Sequence, residues 1–299
     1  MKPDIYLYGM TVASTIHRIA GGFPALDTYG ELTGTWQVPG GEAMNAAMVL
    51  GNLGLKTRIG GPHLGTVSGP VIRKYARKYG VDIGLVSNDP DWPGLQDMIL
   101  VDDEHRTVFG RFGAYFSDAV QRWDAPDAES CAQAKVVCID PWFNTASDLA
   151  ARHCVQASTP YVTIDCQPDS YLAVNSAANV VSGEFRRGHF KSEDEAGLLE
   201  RYCARSKGLV VFSSGSGLIR FGRAGQPVEA QPAFTVAALS TLGAGDVFRA
   251  GIAWGLFHGT SDRETIRFAA ALAALACTRM PIADTAPSLV EVRAFLAAQ

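Results

Sequence analysis

The chain has 299 residues, 47% of them hydrophobic and 19% charged, with a formal net charge of −4. That length can bury a full α/β core, and the charge balance, with no cluster of Lys or Arg, argues against a nucleic-acid surface. The longest apolar run, residues 268–277, lies between Arg267 and Arg279 and is too short to span a bilayer.

The N-terminal residues lead straight into an apolar strand with no signal-peptide pattern. Cys131, Cys138, Cys154, Cys166, Cys203 and Cys277 are scattered without close pairs, which fits reduced core thiols better than disulfides or a zinc site. A cytoplasmic protein is expected.

In chain order, residues 4–9 predict a buried strand ended by Gly9. The stretch up to Pro39 is rich in Gly and Thr and lacks a helical period, so it predicts a small β excursion. Gly40 and Gly41 open a helix whose inward face carries Met44 and Met48, and Gly54 ends it. A short strand over 57–60 and a helix over 71–79 follow. The runs 98–102 and 106–110, on either side of Asp103, Glu104 and His105, predict a hairpin.

From there the pattern is regular. Apolar runs at 135–140, 161–165, 179–182 and 209–213 alternate with helical stretches such as 145–157 and 193–207. Such alternation predicts βαβ units and a parallel sheet covered on both faces. Residues 218–221 read as an antiparallel edge strand. The Ala-rich helix over 264–278 should pack beside a helix over 243–258, and a last helix covers 288–296. The expectation is one main α/β domain over 1–299, with a β appendage built from segments near 12–39 and 95–115.

The most informative stretch is 240–246, Ser-Thr-Leu-Gly-Ala-Gly-Asp. Gly243 and Gly245 let backbone N–H groups approach a ligand, and the helix that follows adds its positive dipole end, which together make an anion site. Asp246 falls in the first helical turn, beside the anion, and suits a base in phosphoryl transfer to a hydroxyl. Taken alone, these residues also fit an ordinary tight turn with a dipole-compensating acid. Further polar or glycine-rich strand ends occur at Asp140, Asp165, Ser182 and Ser213, where ligands bind in doubly wound sheets. There is no GxxxxGK[ST], no GxGxxG after the first strand, no HExxH and no GxSxG, and the histidines lack metal-ligand spacing.

Two distant signatures carry a resemblance. Gly40, Gly41, Asn45 and the Leu53-Gly54 pair near the start, with Thr241-Leu242-Gly243-Ala244-Gly245-Asp246 and Gly251 near the end, resemble the paired motifs of the ribokinase-like, PfkB-family sugar kinases. The likeness spans nearly the whole chain. Residues 210–217 and the Ala-rich run after Arg267 resemble the family's nucleotide-side turn and late helix. Residues 231–248 and 274–279 look closest to the branch containing sulfofructose kinase.

The resemblance implies a ribokinase-like three-layer α/β/α sandwich, with a mostly parallel central sheet and a small β lid that excludes water. It implies an ATP- and Mg²⁺-dependent kinase of a sugar-like small molecule. Asp246 would be the base, and the N–H groups of Gly243, Ala244 and Gly245 the anion hole. Gly40, Gly41, Asn45 and Ser14 would face the sugar, and Ser213, Gly215, Gly217 and Thr241 the ATP. Arg111, at the end of the hairpin, would offer a cation to an anionic acceptor. Lid strands of the family often pair between subunits, which implies a homodimer.

The departures from the family pattern also carry expectations. Ser240 stands where the family usually has an Asp tied to a monovalent-cation site, so potassium activation is in doubt. Ser14 aligns with a sugar-contacting Asp, and residues 65–69 keep the glycines of a turn but lack its acid. Lost acids predict an anionic or less hydroxylated acceptor. Glu184, out of register with the family's metal motif, would help Mg²⁺. The alternatives to a sugar kinase are a nucleoside kinase of the same fold and a catalytically weak sugar- or nucleotide-binding regulator.

Overall fold

The computed structural model describes residues 2–103 and 105–299; Glu104, in the predicted hairpin turn, lies outside the described residues. The first part of the chain runs β1 (Ile5–Tyr8), β2 (Val12–Ile19), β3 (Leu32–Gly40), α1 (Glu42–Asn52), β4 (Thr57–Gly60), α2 (Ser68–Tyr79), β5 (Gln96–Val101) and β6 (Arg106–Gly110). Next come α3 (Phe112–Ser117), α4 (Ala128–Gln133), β7 (Val136–Ile139), α5 (Thr145–Ala157), β8 (Tyr161–Ile164), α6 (Tyr171–Asn175), β9 (Ala178–Val181) and α7 (Gly183–His189). The remainder is α8 (Glu195–Arg205), β10 (Leu209–Phe212), β11 (Leu218–Gly222), β12 (Glu229–Pro232), α9 (Ala244–His258), α10 (Asp262–Cys277) and α11 (Leu289–Ala297).

An eight-stranded sheet has the order β12-β11-β10-β9-β8-β7-β1-β4. Its strands from β4 to β10 pair in parallel, while β11 and β12 join antiparallel. Alternation within the parallel strands builds three layers. Ile5 and Leu7 of β1 enter one apolar cluster with α1, α9 and α10, while Tyr6 and Tyr8 enter another with α4 and α5. Val136 and Cys138 of β7 face the first cluster, and Val137 and Ile139 face the second. Strands wholly buried on both faces read as continuous apolar runs, which is why the sequence locates them.

The chain visits β4 on one side of β1 and then crosses to β7 on the other. That reversal of strand order is the topological switch point at which open α/β sheets bind ligands.

Helix ends follow the capping chemistry. Ser261 and Glu264 form a capping box on α10, and Ser288 and Glu291 form another on α11. Helix α10 packs on α9 so closely that a Cβ on Gly251 would lie 2.5 Å from Ala269 Cα, and Trp254 stacks on Phe268 with ring centroids 3.9 Å apart. Five of the six cysteines are buried and all six are free thiols. Among the described residues no helix is long and apolar enough to cross a membrane.

A second sheet, in the order β3-β2-β5-β6, covers the carboxyl ends of the first. The predicted hairpin is present as β5 and β6, paired antiparallel, but β5 also lies parallel to β2. Two features differ from the sequence reading. The edge of the large sheet is β12 rather than residues 218–221, because Glu-Ala-Gln-Pro carries no apolar alternation to mark it as a strand. The short helices α3, α4, α6 and α7 span five to seven residues, too few turns to show a helical period.

Candidate active site

Two helix starts meet at the switch point. The carbonyl of Met10, just beyond β1, accepts from the N–H groups of Ala43 and Met44, which locks the first turn of α1 against the strand end. Gly41 makes this possible: its φ is +85°, and a Cβ there would stand 2.5 Å from the Met10 carbonyl oxygen. One turn into α1, Asn45 Nδ2 donates to Asp246 Oδ2 at 2.8 Å. That bond joins residues 201 positions apart, one from each of the two sequence signatures.

Asp246 sits in the first turn of α9, whose N-cap is Gly243 at φ +77°. The Ala244 N–H turns back to the Thr241 carbonyl at 3.2 Å, and Val247 N–H takes the Gly243 carbonyl. The N–H groups of Gly243 and Gly245 have no acceptor among the described residues and remain available to an anion at the positive end of the helix.

A cavity of about 520 Å³ lies between the second sheet and these helix starts, a size ordinary for a small-molecule site. Burial raises the Asp246 carboxyl above the usual carboxylate range, while the Asn45 hydrogen bond and the Arg249 guanidinium pull it back. Glu42 is pushed up to about 8 by burial and by the charges of Asp140 and Asp246, and it accepts from Trp142 Nε1 at 3.0 Å.

Beneath the site lies a wholly buried ion pair. Asp140, at the end of β7, binds Arg249 of α9 through Oδ1 and the Met10 N–H through Oδ2 at 2.7 Å. On the far side, Asp165 follows β8 in the left-handed region at φ +46°. Its two oxygens accept from the backbone and hydroxyl of Ser182 at 2.7 and 3.0 Å.

Of the residues singled out in the sequence, Ser14, Gly40, Gly41, Asn45, Glu184, Ser213, Thr241, Gly243, Gly245 and Asp246 border this one cavity. Gly215 and Gly217 lie in the exposed turn between β10 and β11, outside it. Arg111 does not reach it either: it is the exposed N-cap of α3. The lid cation that borders the cavity is Arg106, at the start of β6, 3.5 Å from Glu184 of α7. Alternation along β6 separates the two, since Arg106, Val108 and Gly110 share one side of the strand and Arg111 lies past its end. Glu42, Asp97 and Arg106 were missed in the sequence. The signal for Asp97 and Arg106 was a charged residue at the inward phase of a period-two strand.

A second sheet over the carboxyl ends of a parallel sheet, an open helix N-terminus and a carboxylate at its mouth are an arrangement suited to phosphoryl transfer to an alcohol group. The chain belongs to the family described as pfkB family carbohydrate kinase, which it matches over residues 10–288. Its fold is ribokinase-like: it is similar to ribokinase of Arabidopsis thaliana, solved with ribose and ATP, at 19% identity and TM-score 0.82, covering 99% of each chain. It is also similar to a Burkholderia thailandensis nucleoside kinase in complex with inosine, at 18% identity and TM-score 0.77 over 98% of this chain and 96% of that one. Among curated relatives, a Bacillus licheniformis 5-dehydro-2-deoxygluconokinase is 24% identical over 289 residues, covering 87% of both chains. These matches do not resolve the branch, so the likeness to sulfofructose kinase stays a sequence resemblance.

Proposed function

We propose that this protein transfers the γ-phosphoryl group of ATP to a hydroxyl of a sugar or sugar-like small molecule, with Asp246 as general base. The observation that carries the proposal is the Asn45–Asp246 bond at the open N-terminus of α9. Asn45 holds Oδ2, leaving Oδ1 to take the proton of an acceptor hydroxyl. The alkoxide oxygen attacks the γ-phosphorus as the bond to the ADP oxygen breaks, and ADP leaves with that electron pair.

Charge spread over the transferring oxygens is met by the Gly243 and Gly245 N–H groups and the helix dipole. A carboxyl raised by burial is also a better base at neutral pH than an exposed Asp, because its pKa lies closer to the working pH.

ATP would enter from the side of Ser213, Gly215, Gly217 and Thr241. Mg²⁺ binds with few protein carboxylates, phosphate oxygens and water. The donors here suit that mode: Glu184 presents an exposed carboxylate beside the cavity, and Asp165 has both oxygens already accepting from Ser182. When bound, the metal would neutralise phosphate charge, held by these two residues through water. The second sheet acts as the lid of a ribokinase-like unit spanning the chain. Exposed Phe109 on its outer strand β6, the edge of the second sheet, supports pairing with a second copy.

A nucleoside is the second acceptor class, favoured by Phe112, Phe116 and Trp142 around the cavity, which could cover a base. The test is an ATP-consumption and product screen over neutral sugars, nucleosides, sugar phosphates, sulfonated sugars and sugar acids, the last suggested by the name of the Bacillus relative. A phosphorylated product from one class supports the proposal. ligand-induced thermal stabilisation with no phosphoryl transfer to any acceptor would replace it with a binding protein.

A further inference from the structure

The cavity face of the lid is apolar by two-residue alternation: Val12 and Ile16 of β2, Val38 of β3, Ile99 of β5 and Val108 of β6 all border the cavity. Arg106, at the start of β6, interrupts this wall, and so does one further row. Parallel register places Ser14 of β2 beside Asp97 of β5, with Val38 and Gly110 completing the row. Both Ser14 and Asp97 border the cavity, and Ser14 Oγ and Asp97 Oδ1 are buried with no hydrogen-bond partner among the described residues. Buried polar atoms left unpaired are costly and rare, and here they border the space a ligand would fill. Burial pushes the Asp97 carboxyl up to about 6.

We propose that Asp97 and Ser14 set acceptor specificity by receiving a hydroxyl of a neutral, polyhydroxylated acceptor, and that they exclude acceptors carrying phosphate, sulfonate or carboxylate at that end. The inference rests on the kinase reading. It reverses the expectation drawn from the acids lost at Ser14 and in residues 65–69: the acid absent at position 14 is supplied by the adjacent strand in the same row. Of the two cations that border the cavity, Arg279 pairs with Glu291, and Arg106 stands opposite Val101, four residues along β5 from Asp97. An anion in the Asp97 row would meet that carboxylate with no cation in the same row, whereas a hydroxyl would satisfy both orphaned atoms. A site built for a hydroxyl discriminates strongly against ligands that cannot supply it.

The experiment measures kcat and KM of the full chain with ATP, comparing neutral acceptors with their phosphorylated, sulfonated and acid counterparts, for wild type, Asp97→Ala and Asp97→Asn. Wild type should prefer a neutral acceptor. Asp97→Ala should raise the acceptor KM about 10- to 100-fold, the scale of one hydrogen bond to a charged group, with the ATP KM unchanged. Asp97→Asn should narrow the neutral-to-anionic preference by at least about 10-fold and melt no lower than wild type, since it removes a buried charge. A purely structural role would leave that preference unchanged. Wild type preferring an anionic acceptor, or an Asp97→Ala protein with unaltered acceptor KM and preference, would overturn the inference while leaving the kinase reading intact. Absence of phosphoryl transfer to any acceptor would overturn both.

Discussion

Replacing Arg249 by methionine tests the floor of the site. Asp140 and Arg249 are both wholly buried, and the Asp140 carboxylate has two stabilising contacts, the guanidinium and the Met10 N–H. Arg249→Met keeps much of the side-chain length but leaves a buried carboxylate with one backbone donor. Breaking a buried pair in this way costs ~3–5 kcal/mol. Urea unfolding at pH 8 should show this deficit.

The pair is itself poorly satisfied, with Arg249 Nε and Nη2 buried and unpartnered. Arg249→Met combined with Asp140→Asn should therefore recover most of the lost stability. Because Arg249 also draws the Asp246 pKa down, the acid limb of kcat/KM in the single variant should move to higher pH. A cost below ~1 kcal/mol at pH 8, or a double variant as unstable as the sum of the singles, would refute the reasoning.

Two further outcomes follow from neighbouring residues. Glu42, pushed up to about 8, is neutral through most of the working range and ionises above it, adding a negative charge beside Asp246 and the phosphate. Activity should decline on the alkaline side near pH 8, and Glu42→Gln should remove that decline; an unchanged alkaline limb counts against the role of Glu42. Gly251→Val should lower the unfolding free energy measured in urea by ~1–3 kcal/mol through overpacking against Ala269, and a stability equal to wild type would show that α9 and α10 are free to separate.

The central sheet was legible because its parallel strands are short runs buried on both faces, as in Ile5–Tyr8 and Val136–Ile139. Helices α5, α9, α10 and α11 were legible as helical stretches in the sequence, and the structure adds serine caps to the last two. The residues Asn45 and Asp246 could be marked, since each follows a glycine turn at a helix start, but their mutual bond is a tertiary fact that sequence spacing does not encode.

Asp97 was hidden for a similar reason. Its strand was read as half of a hairpin, and only the parallel pairing of β5 with β2 brings it beside Ser14. Arg111 was marked from its position at the end of the hairpin, and the phase of β6, which brings Arg106 to the cavity, was not considered. The Asp140–Arg249 pair joins a strand end noted for its polarity to an arginine of the helix predicted over 243–258, and nothing local links them.

The most direct test of the account is Asp246→Asn. The substitution keeps the size of the side chain and a polar contact to Asn45, but it cannot accept the hydroxyl proton. In single-turnover assays with the acceptor found by the screen, phosphoryl transfer should fall by ~10²–10⁴-fold, while ATP binding measured by calorimetry stays within a few-fold of wild type. Full turnover in that variant, with ATP and acceptor bound as before, would contradict the assignment of Asp246 as the base.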